Sequence, residues 1–122
     1  MSEHNEILNY GLNLSCEFGP NLNQPINQRL LEKFPELHEI DVDKINSLCY
    51  SIRDEGHNYI YGVLGDVAGK KQKIPASELE SGLKDHLLSK YLWISAENLS
   101  RLYSQGCYYA WKDGYIDALE DS

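Results

Sequence analysis

Tyr50, Asp54, His57 and Tyr61 stand at i, i+4, i+7 and i+11. On an α-helix that spacing puts all four in one column. A carboxylate three residues before a histidine can orient the imidazole and raise its pKa, as a general acid–base pair requires. The same row also fits a hydrogen-bonded face on a partly buried helix, or a face that meets a partner. No stronger reactive constellation stands beside it. The chain has no HExxH, no Walker loop and no GxSxG. It has no Glu-x-x-His pair of the di-metal bundle type, and His4, His38 and His86 are scattered. Cys107 follows Gly106 inside a helical pattern, whereas a cysteine nucleophile usually sits at a turn or a helix N-terminus. The residues call for no metal and no cofactor, and they point away from an enzyme.

The column belongs to a wider pattern. In Ile45–Leu64 the apolar set Ile45, Leu48, Cys49, Ile52, Gly56, Tyr59 and Val63 fits one helical face, with the Tyr50–Tyr61 column opposite. In Leu99–Leu119 the inward set is Leu99, Leu102, Tyr103, Gly106 and Ala110, and Tyr108, Trp111 and Tyr115 fall opposite. A surface helix is ordinarily apolar on one side and charged on the other. Aromatic residues on the far side mean either burial all round or a surface built to bind.

Helix signals dominate the elements that must carry these faces. A first helix is expected from about Asn5 to Phe18, with Ile7, Gly11, Leu14 and Phe18 on one face and Gly19-Pro20 as its stop. Asn21–Gln24 reads as a loop. Pro25 suits the first turn of a short second helix with Ile26, Leu30 and Phe34 inward, ended by Pro35. After an acidic connector, Asp41 is the expected N-cap of a long third helix reaching Leu64, kinked near Gly56. Gly65–Pro75 reads as a loop made locally basic by Lys70, Lys71 and Lys73, with a hairpin over 63–74 as the alternative. Ser77-x-x-Glu80 reads as a capping box opening a fourth helix, with Leu79, Leu83, Leu87 and Tyr91 inward. Ser95 caps the fifth, and Gly106 on its inward face would permit a close helix crossing. The expected architecture is all-α: one domain over 1–122, a bundle of about five amphipathic helices.

At 122 residues such a domain buries roughly two-thirds of its unfolded surface and needs no disulfide to fold. Its three cysteines, Cys16, Cys49 and Cys107, show no metal spacing and read as buried thiols in a reducing compartment. The polar N-terminus is not a signal peptide, and no apolar run reaches membrane-spanning length, so a cytoplasmic location is expected. The formal net charge is −8. Residues 1–61 hold ten Asp/Glu and four Lys/Arg, a balance of −6, while residues 62–122 hold nine and seven, a balance of −2. Direct contact with nucleic acid or an anionic membrane needs clustered Lys/Arg, so neither is expected. The acidic group Glu32, Glu36, Glu39, Asp41, Asp43, Asp54 and Glu55 instead favours a basic protein partner. A second acidic set, Asp113, Asp117, Glu120 and Asp121, adjoins the Trp111/Tyr115 stripe. Aromatic anchors within an acidic rim suit tight binding of a basic protein.

In size, acidity, abundance of Tyr, Asn and Asp, and absence of catalytic motifs, the chain resembles the small acidic immunity proteins of bacterial toxin–immunity pairs. These include partners of polymorphic and contact-dependent-inhibition toxins. The resemblance implies a 1:1 complex with a cognate toxin domain, often a basic nuclease, whose active site or substrate groove is blocked. Partner-binding residues are then expected among Tyr50, Asp54, His57, Tyr61, Glu36, Glu39, Asp43, Tyr108, Trp111, Tyr115 and Asp117. The alternatives are a phage or mobile-element inhibitor that mimics nucleic acid, and a small helical enzyme using Asp54 and His57.

Overall fold

A 31-residue helix runs through the middle of the molecule, and the other helices are laid against it. The computed structural model describes residues 3–17 and 24–120. Its helices are α1 (Glu3–Ser15), α2 (Asn27–Lys33), α3 (Glu39–Gly69), α4 (Ala76–Leu88) and α5 (Ala96–Lys112). Two-residue strands β1 (Ile74–Pro75) and β2 (Leu119–Glu120) pair in parallel, with Ile74 opposite Leu119. A 3-10 turn, Ile116–Ala118, leads into β2. The architecture is all-α, as the periodicity indicates. The expected stop at Gly19-Pro20, the inward placement of Phe18 and the acidic residue Asp121 lie outside the described residues.

α3 is longer than its sequence signals suggest. It starts at Glu39 with His38 in the N-cap position, and no side chain caps it. Asp41 therefore lies inside the first turn, where its charge suits the helix dipole. Gly56 does not break the helix. It is buried, and a methyl there would stand 3.8 Å from Leu102 and Leu87, ordinary contact. α3 continues to Gly69, so the first five residues of the expected Gly65–Pro75 loop are helical, and the three lysines follow the helix. No hairpin forms over 63–74: Ile74–Pro75 pairs with the distant 119–120 segment instead.

The buried stripe of α3 is Val42, Ile45, Cys49, Ile52, Gly56, Ile60 and Leu64. Its C-terminal part differs from expectation, since Tyr59 and Val63 are only half-buried. The cause is tertiary. α1 and α2 pack along α3 together with α4 and α5, so the covered arc is set by where those helices sit. Leu30 of α2 and its flanking Ile26 and Phe34 are buried, as are Leu79, Leu83 and Leu87 of α4, but Pro25 precedes the helix, whose N-cap is Ile26, and Tyr91 lies beyond α4 and is half-buried. The Ser77–Glu80 capping box does not form, because α4 already begins at Ala76. Glu80 pairs with Lys84 at 3.2 Å instead. Ser95 does cap α5, its Oγ accepting from Asn98 N–H at 3.2 Å.

Two glycines lie where α1 and α5 pack on the core of α3. A Cβ on Gly11 of α1 would lie 3.0 Å from Cys49 Sγ and 3.1 Å from Ile45 on α3. A Cβ on Gly106 of α5 would lie 2.5 Å from Ile60 Cδ1, closer than atoms can stand. A side chain at 106 would therefore have to push the Ile60 terminal methyl aside within the buried core. Gly106→Ala should cost about 1–3 kcal/mol by overpacking, whereas Gly56→Ala should be neutral or gain up to about 1 kcal/mol of helix propensity. Urea denaturation of the two variants checks this, and equal effects would show that Gly106 does not set the crossing.

Candidate functional site

The Tyr50–Tyr61 column does lie along one face of α3, but its members have different partners. The Tyr50 hydroxyl donates to the Gln24 carbonyl, and its ring lies under the Arg53 guanidinium at 4.6 Å. Asp54 is exposed and accepts from Arg53 Nε and Nη2 at 3.2 and 3.1 Å. It makes no hydrogen bond to His57, so the expected acid–base pair is not formed. His57 Nε2 instead meets Gln105 Oε1 on α5 at 2.9 Å, and its ring packs on Tyr109 at 5.3 Å. Its pKa is lowered, not raised. Burial disfavours the imidazolium most, and Arg53 adds to this against the weaker support of Gln105 and Asp54.

Tyr61 reaches furthest toward α5. Its hydroxyl donates to the Tyr109 carbonyl at 3.0 Å and also to the Asp113 carboxylate. Burial first, and then the Asp113 hydrogen bond and charge, push its pKa up to about 12. The phenol is therefore a protonated strut at neutral pH. Arg53, Asp54, His57, Asn58, Tyr61 and Tyr109 line an open polar cleft of about 440 Å³.

α5 ends earlier than the stripe suggests, and the reason is local. Gly114 has φ +86°, the Gly114 N–H donates to the Trp111 carbonyl at 3.1 Å, and the Tyr115 N–H donates to the Ala110 carbonyl at 2.9 Å. This is a Schellman stop with glycine at C′. The helix therefore closes at Lys112 and not near Leu119, and Tyr115 lies beyond it. The three aromatics are nonetheless together at one end of the molecule. Tyr108 and Trp111 have ring centroids 6.1 Å apart, and Tyr115 packs edge-on to Tyr61 at 5.9 Å. They are exposed by 44%, 59% and 38%, far above the values of core aromatics. Asp113 and Asp117 are exposed beside them in the chain. Tyr108 and Trp111 thus form one exposed aromatic pair near the end of α5, and Tyr61 and Tyr115, with Asp113 on the Tyr61 hydroxyl, form another.

Glu36, Glu39 and Asp43 do not join these pairs. They are exposed at the opposite end of α3, where Asp43 accepts from Asn27 Nδ2 at 2.5 Å. Eighteen residues separate Asp43 from Tyr61, or roughly 27 Å along a helix. The sequence-derived binding residues therefore do not form one set: Tyr61, Tyr108, Trp111, Tyr115 and Asp117 lie toward the end of α5, Tyr50, Asp54 and His57 along the middle of α3, and Glu36, Glu39 and Asp43 at its start. No family model, curated protein or solved structure matches this chain.

Sequence reasoning missed the polar residues that hold the site. Gln105 is 2% exposed, and its Nε2 donates to the Cys16 carbonyl at 2.9 Å. With its oxygen facing His57, it ties the end of α1 to α3 and α5. Arg53 Nη1 donates to the Ser15 carbonyl at 3.3 Å at the same junction. At the middle of α1, Asn9 Nδ2 donates to the Trp93 carbonyl at 2.8 Å while its Oδ1 accepts the Ser95 N–H at 2.8 Å. Asn98 Nδ2 returns a bond to the Asn9 carbonyl at 2.9 Å. A signal existed for Gln105: it lies between Leu102 and Gly106 on the inward stripe of α5, where a polar side chain needs a buried partner.

Among the described residues, no group of His, Cys, Asp and Glu is placed to hold a metal ion, and no helix is long and apolar enough to cross a membrane. Cys16, Cys49 and Cys107 are free thiols. Burial raises the pKa of Cys16 to about 11 and of Cys49 to about 12, which makes both poor nucleophiles at neutral pH. His57 generates a pH prediction. Its folded pKa lies below its unfolded value, so its contribution to stability is present above about pH 6.5, the ordinary histidine value. That contribution is lost as pH falls from there through the folded pKa. Urea midpoints of the wild type should drop over this range, and His57→Gln should reduce the drop. A variant with the wild-type slope would remove His57 as the cause.

Proposed function

We propose that this chain is a cytoplasmic immunity protein that binds a basic toxin domain one-to-one and blocks its active site or substrate groove. A nuclease is the toxin class that best suits the charge. The observation that carries this reading is the exposure of Tyr108, Trp111 and Tyr115 near the end of α5, with Asp113 and Asp117 exposed beside them in the chain, at a net charge of −8. Large aromatics left in solvent lose the free energy of burial unless a partner covers them. Trp and Tyr are also the residues that most often anchor protein interfaces. Carboxylates around them select a partner rich in Lys and Arg and speed encounter. Nucleic acid and anionic membrane fit this surface poorly, since their phosphates would face the same carboxylates. The reading assigns no catalysis to the chain, and it needs no metal or cofactor.

The test is growth rescue. The toxin domain encoded beside this chain, expressed alone, should arrest growth, and co-expression of this chain should restore it. Failure of any neighbouring gene product to be neutralised would sink the inhibitor reading. Trp111→Ala should leave folding within about 0.5 kcal/mol of wild type, as exposed sites usually do. The same change should weaken toxin binding by about 2 kcal/mol or more. A melting temperature lowered by many degrees would instead make Trp111 a structural residue.

The charge term gives a separate kinetic expectation. Association with the basic partner should slow as salt rises, because the field is screened beyond about 8 Å at physiological ionic strength. Asp113→Asn with Asp117→Asn should lower the association rate and flatten that salt dependence in stopped-flow measurements. Rates indifferent to both salt and substitution would reduce the acidity to a solubility feature.

A further inference from the structure

The side-chain amide of Gln105 fixes which nitrogen of His57 carries the proton. Gln105 Nε2 donates to the Cys16 carbonyl at 2.9 Å. Turned the other way, the amide would set its oxygen against that carbonyl, two acceptors with no proton between them. Gln105 Oε1 therefore faces His57 Nε2, 2.9 Å away, and Nε2 must carry the hydrogen. Burial first, and then Arg53, lower the pKa of the ring, so it is neutral at pH 7. A neutral imidazole has one N–H, which leaves Nδ1 a bare lone pair. Among the described residues nothing donates to Nδ1, and it is not sealed in the interior. The ring lines the open cleft of about 440 Å³ together with Asp54 and Asn58. Asp54 stands three and four residues before these two, so both are its neighbours on the surface of α3.

The unused hydrogen-bonding capacity here is mostly of one kind. Asp54 commits Oδ1 to Arg53 Nε and Nη2, which leaves Oδ2 open. Asn58 is exposed, and no described residue donates to its amide oxygen. Each nitrogen of Arg53 already has an acceptor, in Asp54 or the Ser15 carbonyl. The Tyr61 hydroxyl proton is held by the Tyr109 carbonyl and Asp113. Arg53 and Asp54 cancel in charge, and Asp113 leaves the rim one negative charge in excess.

We propose that Asp54 Oδ2, His57 Nδ1 and Asn58 Oδ1 form a seat for a primary ammonium group. On the inhibitor reading, on which its source rests, that group is a lysine side chain of the partner. An ammonium brings three donors and no acceptor, the complement of three open acceptors. An exposed acceptor alone is satisfied by water. Here an amide only 2% exposed holds the tautomer, so the lone pair stands ready before anything binds. Protonation of Nδ1 would turn this acceptor into a donor and add a positive charge, so the seat exists only while His57 is neutral. The titratable and charged groups that face the ring are Arg53, Asp54 and Tyr61 on α3, Tyr109 and Asp113 on and just after α5, and Cys16 at the end of α1.

The probe is Nα-acetyl-lysine methylamide, titrated into the isotope-labelled full chain and followed at the His57 ring nitrogens and the Asn58 side-chain amide. Its Nε-acetyl derivative and its arginine counterpart are the comparisons. The free protein should show a bare Nδ1 and a protonated Nε2. The lysine probe should shift Nδ1 and the Asn58 amide in a saturable way, and more strongly than either comparison. Its affinity should fall about fivefold or more in Asn58→Ala, the loss of one hydrogen bond to a charged group, and stay unchanged in Trp111→Ala. Asn58 is exposed, so this variant keeps its fold, which its backbone spectrum verifies. Acidification should abolish the response as the ring nitrogens report protonation. The opposite tautomer, no saturable shift, an equal or stronger response to either comparison, full affinity in Asn58→Ala, or binding that survives protonation of His57 would each overturn the seat. Growth rescue without probe binding overturns only the seat, and probe binding without rescue overturns only the inhibitor reading.

Discussion

The terminal methyl of Ile60 on α3 stands where a Cβ at position 106 of α5 would be. The close crossing of these two helices is the constraint on which the rest of the molecule depends. It brings Gln105 within hydrogen-bonding distance of His57 and sets Tyr61 against the backbone of Tyr109. It also carries the end of α5 to the place where Tyr115 can meet Tyr61 edge-on. Moving α5 outward to accommodate one methyl group would strain all of these contacts together, because packed interiors transmit displacement and do not absorb it.

The buried polar bonds make the arrangement specific. Apolar stripes on five helices can be packed in more than one register at similar cost. Gln105 has a partner on α3 and another at the end of α1, and a small rotation of α5 would orphan both. An unpaired buried amide costs about 1–3 kcal/mol, a large fraction of the stability of a domain this size. Asn9 plays the same part at the middle of α1, joining it to the turn before α5 through Trp93 and Ser95.

This scaffold also decides what the α3 column can do. His57 is held neutral by burial, with Nε2 committed to Gln105, and Asp54 is committed to Arg53. Tyr61 is a hydrogen-bonded strut with its proton held tightly. These groups brace a surface more readily than they move protons. The exposed groups lie at the two ends of α3: aromatic and acidic where α5 stops, aliphatic and acidic where α3 starts.

The sequence by itself determined the fold class, the inward faces of α2 and α4, the Ser95 cap and the need for a small residue at 106. All of these follow from local periodicity and local hydrogen bonding. It also marked Tyr108 and Trp111 as facing away from the core, since a helical face is fixed by spacing alone. The end of α5 was legible too, in Gly114, but it takes the left-handed glycine and its two backbone bonds to see that Tyr115 falls outside the helix. The partners of His57 and Asp54 were not legible. Spacing places side chains on a face, but only the packing of α1 and α5 decides which distant groups meet that face. Gln105 lies forty-eight residues from His57, and neighbouring Arg53 takes the carboxylate that spacing alone would give to the histidine. The tertiary structure likewise kept the acidic residues at the start of α3 apart from the aromatic residues near the end of α5, because the length of α3 separates what the chain lists as one set.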